Sequence, residues 1–293
     1  MFDFRFFEIY RSSEYMYLIF DGILISSSLT IISGCLGFII AFLLGLRLYK
    51  KMFIRENIDQ KYLEPLFIFM VFSTLIGARL GEVFFYNWGY FKDHPLEILL
   101  PIKAIEGSSM LFGLISGYEF IGFRGLASHG ATIGIILGIY AYQRTYKFKP
   151  LIWILDRLTI PVAIGGFFVR TGNFFNSEIV GKYTGSNFGV VFQNRGETLP
   201  RYPAQMYEAF GYLILFFILR KLYNNSYGDQ KGFLLGLFFI GMFTIRFFIE
   251  FIKESQGGFE TAMPMLSTGQ WLSIPFIFLG FSLLALSMKK QKV

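Results

Sequence analysis

The chain has 293 residues, of which 54% are hydrophobic, 20% aromatic and only 16% charged. Soluble domains carry about 25% charged residues, so this balance, with a mean hydropathy of +0.52, excludes an ordinary soluble domain and points to a polytopic membrane protein. The net charge of +7 would suggest nucleic acid in a soluble protein; here much of it lies in short loops between apolar runs, where it orients helices, and no nucleic-acid partner is expected.

The N-terminus is interrupted by Glu8, Arg11 and Glu14 and lacks a cleavable-signal pattern, so the first span is expected to stay in the mature protein. Apolar runs at 22–48, 66–86, 126–143, 151–169, 205–222, 232–251 and 269–288 predict seven transmembrane helices in an all-α polytopic fold, a single integral membrane domain over 1–293. Cys35, the only cysteine, lies within the first run and reads as a small buried residue; one cysteine excludes a disulfide framework and a multi-cysteine metal site.

Basic groups follow alternate spans: Lys50, Lys51, Arg55 and Lys61; Arg144, Lys147 and Lys149; Arg220, Lys221 and Lys231; Lys289, Lys290 and Lys292. All fall on one side, which the positive-inside rule makes the cytoplasm, leaving the N-terminus outside and the C-terminus inside. A basic face toward anionic membrane lipids is consistent with this placement. Residues 87–125 then form an outward amphipathic, aromatic arm suited to lying on the membrane surface. Residues 182–204, rich in Gly, Asn and Pro around a β-like "GVVFQN", form a small outward cap.

Ionisable residues inside apolar runs are costly and are functional candidates by default. In "GARLGEVFFY", Arg79 and Glu82 share a helical face and form either a structural ion pair or part of a site. In "GLASHGATIG", His129 sits among small residues that let another chain or a substrate approach; it is either a structural hydrogen-bonder or a chemical group, and no neighbouring ligands suggest a metal. "FVRTGNFFNSEIVG" places Arg170, Asn173, Asn176 and Glu178 at the end of a span. If the helix ends near Gly172, frayed amides and a guanidinium would cradle a phosphate; the alternative is an interfacial loop with a snorkelling arginine. In "GMFTIRFFIEFIKE", Arg246 and Glu250 share a face as a structural pair or as a carboxylate holding an arginine for an anionic ligand. Two arginines on separate spans suit a phosphodiester.

These residues resemble the prolipoprotein diacylglyceryl transferase family. Arg170, Gly172, Asn173, Phe174, Asn176, Glu178 and Gly181 match its signature, and "GARLGEVFFYN", "SHGATIG", "YPAQMYEA" and "RFFIEF" followed by "GQWLSIP" agree in order. The resemblance implies a seven-helix bacterial inner-membrane enzyme that moves the diacylglyceryl group of phosphatidylglycerol onto the lipobox cysteine of a pre-lipoprotein, releasing glycerol phosphate. It carries over His129, Arg170, Asn173, Glu178, Gly181, Arg246 and Glu250 as site residues; Arg79 is expected as a further substrate-binding residue. His129 would take the thiol proton and Arg170 and Arg246 would stabilise the departing phosphate, with no metal or cofactor required. The sequence departs from the family pattern at "ISSSLTIISG", at Ala131 and at Met242, and "GSSMLFGLISGYEFIGFRG" is longer than usual between blocks. The competing reading is a transporter or flippase for an anionic lipid or solute.

Overall fold

The computed structural model describes residues 8–12, 15–19, 27–100, 102–110, 115–120, 127–255 and 265–289. In chain order these form β1 (Glu8–Ser12), β2 (Tyr15–Ile19), α1 (Ser27–Arg55), α2 (Leu63–Phe85), α3 (Trp88–Phe91), α4 (Leu96–Leu99), β3 (Ile102–Met110) and β4 (Ile115–Phe120). There follow α5 (Ser128–Tyr146), α6 (Leu151–Phe175), α7 (Ala204–Asn224), α8 (Phe233–Ile249) and α9 (Thr268–Lys289). Each apolar run of the sequence falls on one helix, from 29 residues in α1 to 17 in α8. Among the described residues, Gln60–Phe85, Leu151–Phe175 and Thr268–Met288 are long and apolar enough to cross a membrane, and Phe233–Ile249 is a shorter apolar helix. The protein is predominantly helical, as its composition requires.

Two compact units divide the chain. The first comprises Met1–Glu56, Asp156–Ser255 and Ser273–Val293; the second comprises Asn57–Leu155 and Gln256–Leu272.

In the second unit α2 packs on α5 along facing glycines. A Cβ added to Gly81 would stand 2.5 Å from the Gly130 Cα, and one on Gly77 would meet the Gly130 carbonyl oxygen at the same distance. In an apolar surround, such small residues let backbones approach and supply the packing that drives helix pairing. The segment expected to form an outward arm has regular local structure. After the two one-turn helices α3 and α4, β3 and β4 pair antiparallel, Ile102 opposite Phe120, with a register shift between Ala104 and Ser109.

In the first unit two buried charges of α6 act as structural supports. Asp156 caps the start of α8, its carboxylate accepting from the amides of Gly232 at 2.7 Å and Leu235 at 2.9 Å. The caps satisfy amide donors that a helix start leaves open. Arg157 donates through Nε and Nη2 to both Glu56 oxygens at 3.1 and 3.2 Å, and the Tyr223 hydroxyl donates to the same carboxylate at 2.7 Å. Phe243 of α8 stacks on Phe276 of α9, with ring centroids 4.4 Å apart.

The segment from 176 to 203 folds over the end of α6. Phe174, Val180, Val190 and Phe192 form a small apolar core against Met206. Arg201 ties it together: its Nε donates to Glu197 at 2.5 Å, its Nη1 to Glu254 at 3.1 Å, and its guanidinium lies over the Tyr183 ring.

Candidate active site

α6 continues through Gly172 to Phe175. The backbone amides at 171–173 are therefore engaged within the helix, which corrects the expectation of frayed amides available to a phosphate. The C-terminal end of a helix carries partial negative charge and does not attract anions by itself. Any anion held here has to be held by side chains.

Arg170, in the last turns of α6, is buried and donates through Nε to Glu208 Oε2 at 2.6 Å. Its Nη1 donates to Asn173 Oδ1 at 3.4 Å, one helical turn on. Asn173 Nδ2 donates in turn to Glu178 Oε2 at 3.0 Å. Beyond Phe175 the chain doubles back: the Asn176 amide reaches Gly172 O and the Glu178 amide reaches Asn173 O. Ser177 and Ile179 adopt positive φ of 55° and 54°. A left-handed conformation at a β-branched residue such as Ile179 is an outlier that persists only where the surroundings enforce it. Those surroundings include Gln205, whose Nε2 donates to the Glu178 carbonyl at 2.6 Å, and Tyr202, whose carbonyl accepts from the Gly181 amide at 3.1 Å.

Gly181 has a steric reason for its identity. A Cβ there would lie 2.7 Å from the Tyr202 Cβ and 3.0 Å from the Ile252 carbonyl oxygen. The absence of a side chain lets this segment pair with the chain that follows α8, Gly181 opposite Lys253.

Glu208 comes from "YPAQMYEA" on α7 and is almost completely buried. Arg170 meets one of its oxygens, and Arg246 of α8 approaches the other, Nη1 to Oε1, at 3.9 Å. Among the described residues Oε1 accepts no hydrogen bond, so the hold on Arg246 at this end is by charge. Arg246 also meets Glu250 Oε1 at 3.5 Å through Nη2, the pairing one turn apart that the sequence spacing allows. Tyr212, one turn beyond Glu208, is buried near the same arginines. The two arginines expected to act together thus converge from α6 and α8 on one carboxylate of α7. Removing either partner of a buried pair costs about 3–5 kcal/mol, so the cluster fixes three helices in register. Away from the cluster, α8 and α9 border an open apolar groove of about 290 Å³ lined by Thr244, Phe247, Phe248, Ile274, Ile277 and Phe278.

Glu178 is exposed and orders Asn173; among the described residues it contacts no arginine directly. Arg79 and His129 belong to the second unit. Arg79 donates through Nε to the Ile98 carbonyl at 3.0 Å and through Nη2 to the Glu97 carbonyl at 2.6 Å, and lies over the Phe91 ring. Glu82 accepts from Asn87 at 2.7 Å. The Arg79 contacts tie it to the segment of α3 and α4. His129, in the first turn of α5, is completely buried.

Sequence reasoning missed Glu208, Gln205, Tyr212 and Lys253. Glu208 carried a usable signal: it is a carboxylate inside the apolar run 205–222 and meets the criterion that singled out the others.

The sequence profile of the family described as prolipoprotein diacylglyceryl transferase matches residues 23–286. A phosphatidylglycerol–prolipoprotein diacylglyceryl transferase of Bacteroides fragilis is 42% identical over 239 residues, covering 81% of this chain and 82% of that protein. A protein of the same name from Tolumonas auensis is 39% identical over 254 residues, 87% of this chain and 90% of its own. Another, from Chloroherpeton thalassium, is 38% identical over 257 residues, 87% of this chain and 88% of its own. With nearly its whole length matched, the chain belongs to the prolipoprotein diacylglyceryl transferase family.

Proposed function

We propose that the Glu208-centred cluster receives the phosphate of phosphatidylglycerol while the lipid's diacylglyceryl group passes to the lipobox cysteine of a pre-lipoprotein. The chain is a diacylglyceryl transferase by family, and the names of its relatives supply both substrates. The observation that carries the phosphate assignment is the convergence of Arg170 and Arg246 on Glu208.

The reaction balances as a substitution. The cysteine sulfur bonds to the glyceryl carbon that bears the phosphate oxygen, that carbon–oxygen bond breaks, and its electron pair leaves with glycerol phosphate. The thiol proton goes to a base, and a thioether remains. Negative charge collects on the departing phosphate, where fixed cations in a water-poor site stabilise it far more than they would in water. An arginine has five N–H donors. Glu208 and Asn173 engage Nε and Nη1 of Arg170, and the rest of the fork suits two-point contact with phosphate oxygens. Asn173 fits as a link that lets Glu178 orient Arg170. Glu250 does the same for Arg246. We assign His129 the base's role, since an imidazole with an ordinary pKa near 6.5 suits acceptance of a thiol proton.

The architecture we propose around this site is seven transmembrane helices in the bacterial inner membrane, oriented by the four basic clusters with the N-terminus outside and the C-terminus cytoplasmic. Residues 87–125 form the outward arm, held by Arg79, and 182–204 the periplasmic cap.

Purified protein in detergent, given phosphatidylglycerol and a lipobox peptide, is expected to yield diacylglyceryl thioether. Arg170→Ala and Arg246→Ala are each expected to abolish it while the protein still inserts into membranes. Near-wild-type transfer by both variants overturns the phosphate assignment. Lipid flux across vesicles without covalent product overturns the transferase reading in favour of transport.

A further inference from the structure

Gln205 stands in the first turn of α7, on the same helical face as Glu208 one turn further on. It is 1% exposed, a depth at which an amide side chain is costly unless its polar atoms are matched. Its Nε2 donates to the Glu178 carbonyl at 2.6 Å, which fixes the sense of the amide, because only the nitrogen end can meet a carbonyl. Its Oε1 accepts no hydrogen bond among the described residues. The loop that anchors the amide is itself held. Ile179 is kept at positive φ, and Gly181 pairs with Lys253, whose buried Nζ donates to Glu250 Oε1 at 2.6 Å. Gln205 thus presents a buried acceptor in a fixed position.

The contacts that lead to Gln205 are the ones that hold Arg170. From Glu178 they pass to Asn173, from Asn173 to Arg170, and from Arg170 to Glu208, back on α7. Gln205 therefore belongs to the rim of the place proposed for the phosphate. Arginines there cannot tell one singly charged phosphodiester lipid from another, since all present the same oxygens. In phosphatidylglycerol the departing half carries two further polar groups, the headgroup hydroxyls, a few bonds from phosphorus. Each is an O–H donor, and a neutral amide oxygen is a matching acceptor.

We infer that Gln205 reads the lipid headgroup: its Oε1 accepts a hydrogen bond from a headgroup hydroxyl while Arg170 holds the phosphate. Gln205 is then a specificity residue, selecting hydroxyl-bearing headgroups over phosphodiester lipids of equal charge without a hydroxyl. The selection comes from burial. A site built to bond a substrate hydroxyl leaves its own polar atom unpaired when the hydroxyl is missing, and so rejects the deoxy analogue. The inference rests on the placement of the phosphate proposed above.

The test compares two donor lipids with the same acyl chains and charge: phosphatidylglycerol, and phosphatidylpropanol, whose propyl headgroup has no hydroxyl. Steady-state transfer to a lipobox peptide is measured for the purified full-length protein and its Q205M and R170A variants, and read as the ratio of kcat/KM between the two lipids. The wild type is expected to favour phosphatidylglycerol about tenfold or more. In Q205M, where a flexible thioether replaces the amide, the ratio is expected to fall to near unity. Loss of the Nε2 bond to Glu178 affects both lipids alike, and a ratio within one preparation does not depend on the fraction folded. Shifts of the thermal midpoint produced by each lipid give the same comparison without turnover. A wild type that uses both lipids equally, or a wild-type ratio in Q205M, overturns the inference. A raised KM for the peptide with the lipid ratio unchanged also overturns it, and assigns Oε1 to the peptide backbone. If R170A still transfers from phosphatidylglycerol, the phosphate placement itself fails; if R170A is inactive with both lipids while Q205M keeps the wild-type ratio, only the role of Gln205 fails.

Discussion

Replacing Glu208 by glutamine removes one negative charge from a fully buried position while keeping the side chain's shape. Two guanidinium groups then lose a common counter-ion, Arg170 at 2.6 Å and Arg246 at 3.9 Å. The Arg170 contact is the short, hydrogen-bonded one and dominates; leaving one such charge uncompensated costs about 3–5 kcal/mol. Against a typical stability of about 5–15 kcal/mol, that is a large fraction. At roughly 2–4 °C per kcal/mol, the thermal midpoint in detergent should fall by roughly 6 °C or more. Phosphatidylglycerol should recover more stability in the variant than in the wild type, because its phosphate can replace the missing charge. Transfer should also fall, about 100-fold, since a guanidinium displaced by about an ångström loses its alignment with the leaving group. Thermal unfolding with and without added lipid, followed by the transfer assay, measures all three. A variant with wild-type midpoint and wild-type transfer would show that Glu208 does not organise the arginines.

Gly181→Ala would force a methyl group against the Tyr202 Cβ and the Ile252 carbonyl oxygen; the expected cost is about 1–3 kcal/mol of stability, read by thermal unfolding, with a loss of transfer as Lys253 shifts in register. His129→Asn is expected to slow transfer about 100-fold at about pH 7 and much less at about pH 9, where the peptide thiol ionises unaided; an equal loss at both would make His129 structural. In the cap, burial works against ionisation of Glu197, but hydrogen bonds from Arg201 and Arg195 outweigh it and hold the carboxyl below its ordinary value of 4.5. The folded state then binds that proton more weakly than the unfolded chain, so the contribution is present above the ordinary value and lost as pH falls through the lowered one. Protection of the amides in residues 183–201, taken against the intrinsic exchange rate at each pH, should therefore fall between about pH 5 and pH 3, and Glu197→Gln should remove that dependence; a cap equally protected across the range contradicts it.

The helices were legible because apolar runs in a membrane chain have few alternatives. All seven runs fall on helices, with ends differing by several residues. Arg170, Asn173, Glu178, Arg246 and Glu250 were legible for the complementary reason: charge and amide in an apolar run demand explanation, and their spacing named the family. Glu208 met the same criterion but was read only as part of a matching block. Lys253 carried no such signal. It follows the last apolar residues of its run, where lysine is ordinary, and its burial is produced by pairing with Gly181 about 70 residues earlier, a contact that periodicity cannot reveal. The hairpin of β3 and β4 was hidden similarly, since its amphipathic pattern reads equally well as a surface-lying segment. The end of α6 was misjudged because Gly172 is a common stop signal, yet the helix continues to Phe175.

The most direct measurement is an experimental structure of the protein with phosphatidylglycerol, or a non-reactive analogue, bound. The account predicts its phosphorus atom within hydrogen-bonding reach of the guanidinium groups of both Arg170 and Arg246, beside Glu208. A phosphate seated elsewhere, with both arginines still closed on Glu208, would contradict it.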